Sequence, residues 1–202
     1  MPGTTESIQE DNPKIFVFHS PEFLSVSTAY EDSRHPQRNI VGYPIDNDEY
    51  RKLAREILSV LPQADFEIIT TSKEAELFKY LRNCFFYTKV IYINLIYDLS
   101  KKIGCRWEVL REIMANDAWI GSMHIDPVHK SGRGAGGECF IKDLAALKSF
   151  YKQQLPDERA DNIFSALEEK NIELLLKSQK DLNLLNGVYG NNIIEDRLKG
   201  IR

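Results

Sequence analysis

The sequence predicts a mainly α protein organised around one long central helix, with a small α/β portion of three short strands and a helix at its N-terminal end. Three observations carry this. Residues 72 to about 104 form an unbroken helical pattern: Thr71 or Ser72 can cap it, Glu74 and Glu76 lie in its first turn, Lys101 and Lys102 in its last, and Gly104 suits the C′ position. Short apolar β-type runs fall at 14–19, 39–43 and 66–70. A second long helical pattern spans 157–185, with Ile163, Phe164, Leu167, Ile172, Leu175 and Leu176 on one side and charges on the other.

Taken in order, residues 1–13 are polar, contain Pro2, Gly3 and Pro13, and are expected to be a flexible leader. Residues 14–71 make the α/β portion, whose helix at 46–61 starts near Asp46 and Asp48 and is stopped by Pro62. Residues 72–186 make the helical domain. Its central helix would be roughly 50 Å long. Phe78, Phe85, Phe86, Val90, Ile91, Tyr92, Ile93, Leu95 and Ile96 cover most of its circumference, so burial on several sides is expected. A membrane span does not fit, because the uncharged stretch is short and Arg82, Lys89 and Asn94 interrupt it. A short helix at 107–115 follows, and residues 187–202 read as a polar tail.

At 202 residues the chain holds one good core and at most a small second lobe. A net charge of −4 gives no basic footprint for nucleic acid. Three cysteines, at 84, 105 and 139, form no disulfide framework and point to a reducing, cytoplasmic setting. His124 and His129 match no zinc spacing with Cys139, so no metal is expected.

The chemistry gathers in Gly132-Arg133-Gly134-Ala135-Gly136-Gly137-Glu138-Cys139-Phe140-Ile141-Lys142-Asp143. A glycine-rich loop runs into a helical pattern (Phe140, Leu144, Leu147, Phe150, Tyr151), which places Cys139 in the first turn. Unpaired N–H groups and the helix dipole there favour a thiolate. The glycines let backbone pass close to a ligand, and Lys142 and Asp143 supply a cation and a carboxylate. Small cysteines beside glycine turns are also common structural residues, and both readings stand at this point.

Gly-Gly-x-Cys-Phe-x-Lys-Asp resembles the catalytic-cysteine loop of the UDP-glucose/GDP-mannose dehydrogenase family. Three more segments are similar in the same order: Ser20-Pro21-Glu22-Phe23-Leu24; His35-Pro36-Gln37-Arg38 with Ile40, Val41 and Gly42; and Glu76-Leu77-Phe78-Lys79-Tyr80-Leu81-Arg82-Asn83, with Asn94 further along the same helix. The resemblance implies a helical dimerisation domain, dimeric through the helix at 72–104, with the α/β portion a remnant of an NAD-binding domain. It implies Cys139 as nucleophile in oxidation of a nucleotide sugar's C6 alcohol to a carboxylate, Lys79 and Asn83 as oxyanion donors, and Asp143 and Glu22 as proton and water handlers. Phe23, Leu24, Gly132, Gly134, Gly136, Gly137 and Asn94 would meet substrate, and Lys142 would lie near the cofactor.

NAD is implied, but residues 1–13 hold no strand and G-x-G-x-x-G turn, and the glycines at 132–137 have the wrong spacing for one. The expectation is a truncated member lacking the flanking nucleotide-binding domains, inactive without a separate NAD-binding chain. Two departures, Val26 for a second glutamate and Trp119 for an arginine, leave open the alternative of a non-catalytic dimeric nucleotide-sugar-binding or scaffold remnant.

Overall fold

The computed structural model describes residues 1–25 and 27–190. These carry eight α-helices and four short strands: α1 (Thr4–Asp11), α2 (Ala29–Arg34), β1 (Arg38–Tyr43), α3 (Asp48–Val60), β2 (Phe66–Thr71), α4 (Ser72–Lys102), α5 (Trp107–Asn116), β3 (Val128–His129), β4 (Gly132–Arg133), α6 (Gly137–Gln154), α7 (Glu158–Ser178) and α8 (Leu182–Tyr189). The protein is mainly α with a small sheet, as expected. It divides into two compact units, Met1–Leu81 and the chain from Arg82 on, with the division inside α4.

In the first unit β1 and β2 pair in parallel, Ile40 opposite Ile68 and Val41 opposite Ile69, with α3 as the crossover. Asn47 caps α3 through its side-chain oxygen, which accepts the Tyr50 N–H at 2.9 Å. Tyr50 and Ala54 are buried, as are Ile40, Val41 and Tyr43. Gly42 is required where β1 passes the start of α4, since a Cβ there would stand 2.8 Å from Ser72 Cα and 2.9 Å from Ala75 Cβ. Thr71 and Glu74 form a reciprocal box at that start: Glu74 Oε2 accepts the Thr71 N–H at 3.0 Å, and Thr71 Oγ1 lies 3.4 Å from the Glu74 N–H.

Two expectations are corrected here. The leader carries a helix, because the buried Glu76 carboxylate accepts the Gly3 N–H (2.7 Å), the Thr5 N–H (2.9 Å) and the Thr5 hydroxyl (2.5 Å), occupying donors that a helix start leaves open. The run 14–19 is not a strand. Two of its backbone groups are held by one side chain: Gln9 Nε2 donates to Ile15 O at 2.9 Å and Gln9 Oε1 accepts the Val17 N–H at 2.8 Å. Only His19 reaches the sheet, through an isolated antiparallel bridge to Gly42.

In the second unit α4 ends as its sequence predicts. Gly104 adopts φ 77°, and the Cys105 N–H returns to Ser100 O at 2.8 Å. One face of the helix is buried: Cys84, Tyr87, Val90 and Ile91 pack with Ala135, Leu144 and Leu174. Ile93 of the same helix is buried in a separate cluster, and one stripe carries exposed Phe85, Tyr92, Leu95 and Leu99, so within one chain the helix is covered except along that stripe. Further clusters join Ile141, Ile172, Leu175, Leu176 and Leu185, and Ile93, Trp107 and Ile125.

The helix expected over 157–185 is two helices. Asp157 caps α7, accepting the Arg159 N–H at 2.8 Å. The break comes at Gln179 (φ 55°) and Asp181 (φ 54°), both left-handed, with Lys180 turned inward between them. The tail expected from residue 187 begins inside α8, and its remainder, 191–202, lies outside the described residues.

Candidate active site

Cys139 stands in the first turn of α6 and is exposed. Asp143 lies one turn further along the same helix, on the same side. Its carboxylate is buried, and it accepts hydrogen bonds from Asn83 Nδ2 at 2.6 Å and from Lys142 Nζ at 2.6 Å. The second unit therefore gathers Cys139, Asp143, Lys142 and Asn83. Cys84, next to Asn83, is a different kind of thiol: burial, and then the negative charge of Asp143, pushes its pKa up to about 12.

Beyond the short antiparallel pairing of β4 with β3, His129 opposite Gly132 and Val128 opposite Arg133, the loop before Cys139 is held by side chains. Asn171, buried on α7, accepts the Ala135 N–H (2.7 Å) and donates to Ala135 O (2.9 Å). Ser178 Oγ accepts the Arg133 N–H at 3.0 Å, and Asp181 Oδ2 accepts the Gly137 N–H at 2.8 Å. The glycines answer to this packing. A Cβ on Gly132 would stand 2.6 Å from Ser178 Cβ, one on Gly134 would stand 2.9 Å from Asn171 Oδ1, and one on Gly136 would fall onto Asp181 Oδ2. Gly137, at φ 82°, faces open space.

Asn94 is fully buried and engaged with the same loop. It donates to Val90 O at 2.9 Å and accepts Arg133 Nε at 2.7 Å. Arg133 also pairs with Asp98 at 2.8 Å and lies over the Tyr97 ring. His124 fits between the rings of Phe86 and Phe140, with centroids 4.7 and 5.4 Å away. Burial, and then the positive charges of Lys89 and Arg82 and the nearby His129, pushes its pKa down to about 4.

The first unit gathers the other predicted residues. Lys79 Nζ lies 2.9 Å from Glu22 Oε1 and also donates to Glu22 O. It stands 5.4 Å from the Phe23 ring centroid, and Phe23 meets Phe78 edge-on at 5.6 Å. The Leu24 N–H donates to Glu22 Oε2 at 2.7 Å, while the Leu24 side chain is exposed. Val26 lies outside the described residues. Trp119 is 98% exposed, at the tip of a turn in which Asp117 Oδ1 accepts the Trp119 and Ile120 N–H groups.

Asn171 escapes the sequence reading, although its place is visible in it. It is a polar residue four positions after Leu167 and four before Leu175, on a stripe that is otherwise apolar. Lys180 and Asp181 carry no such signal, since a lysine beside an aspartate reads as solvated surface. Among the described residues no group of histidine, cysteine and carboxylate side chains could hold a metal ion. No described helix is long and apolar enough to cross a membrane.

A long helix thus packs against a cysteine-bearing helix that a glycine loop introduces. Residues 73–172 match the central domain of the UDP-glucose/GDP-mannose dehydrogenase family, and the chain belongs to that family. It is 31% identical over 185 residues to a UDP-glucose 6-dehydrogenase of Rickettsia bellii, covering 91% of this chain and 39% of the relative. It is 32% identical over 180 residues to one of Bacillus subtilis, covering 89% and 38%. Among solved structures, a UDP-glucose dehydrogenase from Pyrobaculum islandicum superposes with a TM-score of 0.69 at 26% identity, over 87% of this chain and 40% of that one. The chain thus spans about two fifths of the length of these relatives.

The family implies NAD. The strand–turn–helix unit of β1 and α3 does not fit its pyrophosphate. The turn is Pro44-Ile45-Asp46-Asn47 in place of a glycine run, the helix start is already capped by Asn47, and Asp46, Asp48 and Glu49 surround it with negative charge.

Proposed function

We propose that this chain carries the cysteine-dependent half of a nucleotide-sugar 6-dehydrogenase. The observation that carries the reading is the exposed Cys139 with the buried, Asn83-bonded Asp143 one turn away. The thiol adds to the C6 aldehyde of the sugar: the S–C bond forms, the carbonyl π pair moves to oxygen, and the thiol proton passes to that oxygen. The product is a thiohemiacetal, with no net change in redox state. In the later hydrolytic step, once a hydride acceptor supplied elsewhere has oxidised the thiohemiacetal to a C6 thioester on Cys139, water adds to the thioester carbonyl, Asp143 or Glu22 takes the water's proton, and the C–S bond breaks to give the carboxylic acid, the sulfur regaining that proton. Lys79 and Asn83 are proposed as donors to the developing oxyanion, Phe23, Leu24, Asn94 and the loop from Gly132 to Gly137 as the substrate's surroundings, and Lys142 as the residue nearest the cofactor.

The turn that would cradle NAD here is acidic and capped, so this chain does not itself hold the hydride acceptor. A separate NAD-binding chain is proposed to supply that function. The uncovered side of the β1–β2 sheet supports it, with a groove of about 600 Å³ lined by Arg38, Ile40, Phe66, Ile68 and Phe78. Homodimerisation through α4 is supported by the bare stripe of Phe85, Tyr92, Leu95 and Leu99. A cytoplasmic location rests on the three free thiols.

Isothermal titration calorimetry with UDP-glucose and GDP-mannose tests the reading. One of the two is expected to bind, and Lys79→Ala to weaken it by about tenfold, as for a lost charge-assisted hydrogen bond. Absence of binding by either sugar nucleotide would overturn it. The exposed Trp119, standing where the family has an arginine, favours the second reading, a non-catalytic sugar-nucleotide binder. In that case binding persists, and Cys139→Ala leaves every property of the bound state unchanged.

A further inference from the structure

Lys180 is 5% exposed, yet its ammonium is engaged with backbone carbonyls. Nζ donates to Gly134 O at 3.0 Å and to Gly132 O at 3.4 Å. Burying a cation is unfavourable unless its donors are used, and here they are used on the loop that precedes Cys139. The adjacent Asp181 grips the other end of that loop, its Oδ2 accepting the Gly137 N–H. That N–H belongs to the first residue of α6, a helix whose N-cap, Gly136, has no side chain with which to hold it.

To present both side chains the chain leaves α7 after Ser178 and takes two non-glycine residues, Gln179 and Asp181, through the left-handed region, a conformation that persists only where its surroundings require it. Gly132 and Gly136 complete the fit, since a Cβ on either would strike Ser178 or Asp181. None of these gripping residues lies in the 73–172 span matched to the family's central domain.

We infer that Lys180 and Asp181 are positioning residues for Cys139. Lys180 fixes the carbonyls at the front of the loop, and Asp181 fixes the amide at its end. Together they set where α6 begins, and with it the place of the thiol two residues on. The inference rests on the reading of Cys139 as the reacting group, and its test needs no ligand, so the two can fail separately.

The full chain carries its own controls: Cys139 as probe, exposed Cys105 as a reference for the reagent, and buried Cys84 as a reporter of unfolding. Timed alkylation with iodoacetamide, read cysteine by cysteine by peptide mass spectrometry, compares the parent with Asp181→Ala and Asp181→Asn. The alanine variant loses the acceptor for the Gly137 N–H. The asparagine variant keeps an acceptor of the same shape and drops the charge.

Release of the loop is expected to speed Cys139 alkylation by about threefold or more in Asp181→Ala, with Asp181→Asn close to the parent, Cys105 unchanged and Cys84 protected. An unchanged Cys139 rate in Asp181→Ala would overturn the inference. So would an asparagine variant that behaves like the alanine one, because charge rather than the grip would then be responsible. Should Asp181→Ala expose Cys84, Lys180→Met decides by the same reading: acceleration confined to Cys139 supports the clamp, and an unchanged rate refutes it. If UDP-glucose fails to bind while the alkylation pattern holds, the clamp survives and the proposed activity does not.

Discussion

Both units hold irregular backbone with buried polar side chains, but they do so at different depths. In the first, Gln9 and Glu76 fix the N-terminal segment beside a two-stranded sheet whose Phe66 and Ile68 remain exposed. In the second, Asn171 fixes the loop before Cys139 from a helix whose neighbours Ile172, Leu174, Leu175 and Leu176 are all buried. A severed hydrogen bond costs little where water can replace the partner and much where it cannot. By this measure the loop before the candidate thiol is more firmly held than the 14–19 run, since the Asn171 bonds are buried and the Gln9 bonds to that run are only partly so.

The largest effect that would sharpen this contrast is a core truncation in the second unit. Leu175→Ala removes a side chain with no exposed surface and is expected to cost about 2–5 kcal/mol, read as a shift of the urea midpoint with the fluorescence of buried Trp107. Next is Asn171→Ala. It leaves the N–H and C=O of Ala135 unpaired in the interior, at about 1–3 kcal/mol for each group, and the same titration measures it. Gln9→Ala removes four hydrogen bonds from the first unit, to Asn12 O, Ile15 O, the Val17 N–H and the Tyr50 hydroxyl; the three backbone partners are only partly buried and can turn to water, so about 1–2 kcal/mol in total is expected, seen as faster proteolysis within residues 1–18. A loss as large as that of Asn171→Ala would break the contrast.

The smallest expected effect is a pH dependence in the second unit. His124 is neutral when folded, its pKa pushed from 6.5 to about 4, mainly by burial. The unfolded chain binds the proton more readily, so this contribution is complete above pH 6.5 and is lost as pH falls from 6.5 towards 4. Partial exposure to water keeps it small. His124→Phe should flatten the stability profile over that interval, and an unchanged profile would remove His124 from the account.

Much of the helical frame was legible in the sequence because each signal was local. Thr71 with Glu74 marks the start of α4, Gly104 marks its end, and glycines lead into α6. The failures were non-local. Nothing between Lys14 and His19 reveals that Gln9 takes the partners a strand would need, and nothing near Thr4 reveals that Glu76 caps α1 from a distant helix. The break at Gln179 was hidden because the apolar period continues through Leu182 and Leu185 while Lys180 turns inward. At the candidate site the residue types near Cys139 could be read directly. The glycines could not: their spacing suggested room for a ligand, and three of them instead answer to Ser178, Asn171 and Asp181.

The most direct test of the central claim, that Cys139 is the thiol addressed by a nucleotide sugar, is ligand footprinting of the three cysteines. With UDP-glucose at saturation, alkylation of Cys139 should slow severalfold while Cys105 keeps its rate. Equal rates at Cys139 with and without the sugar nucleotide would contradict the account.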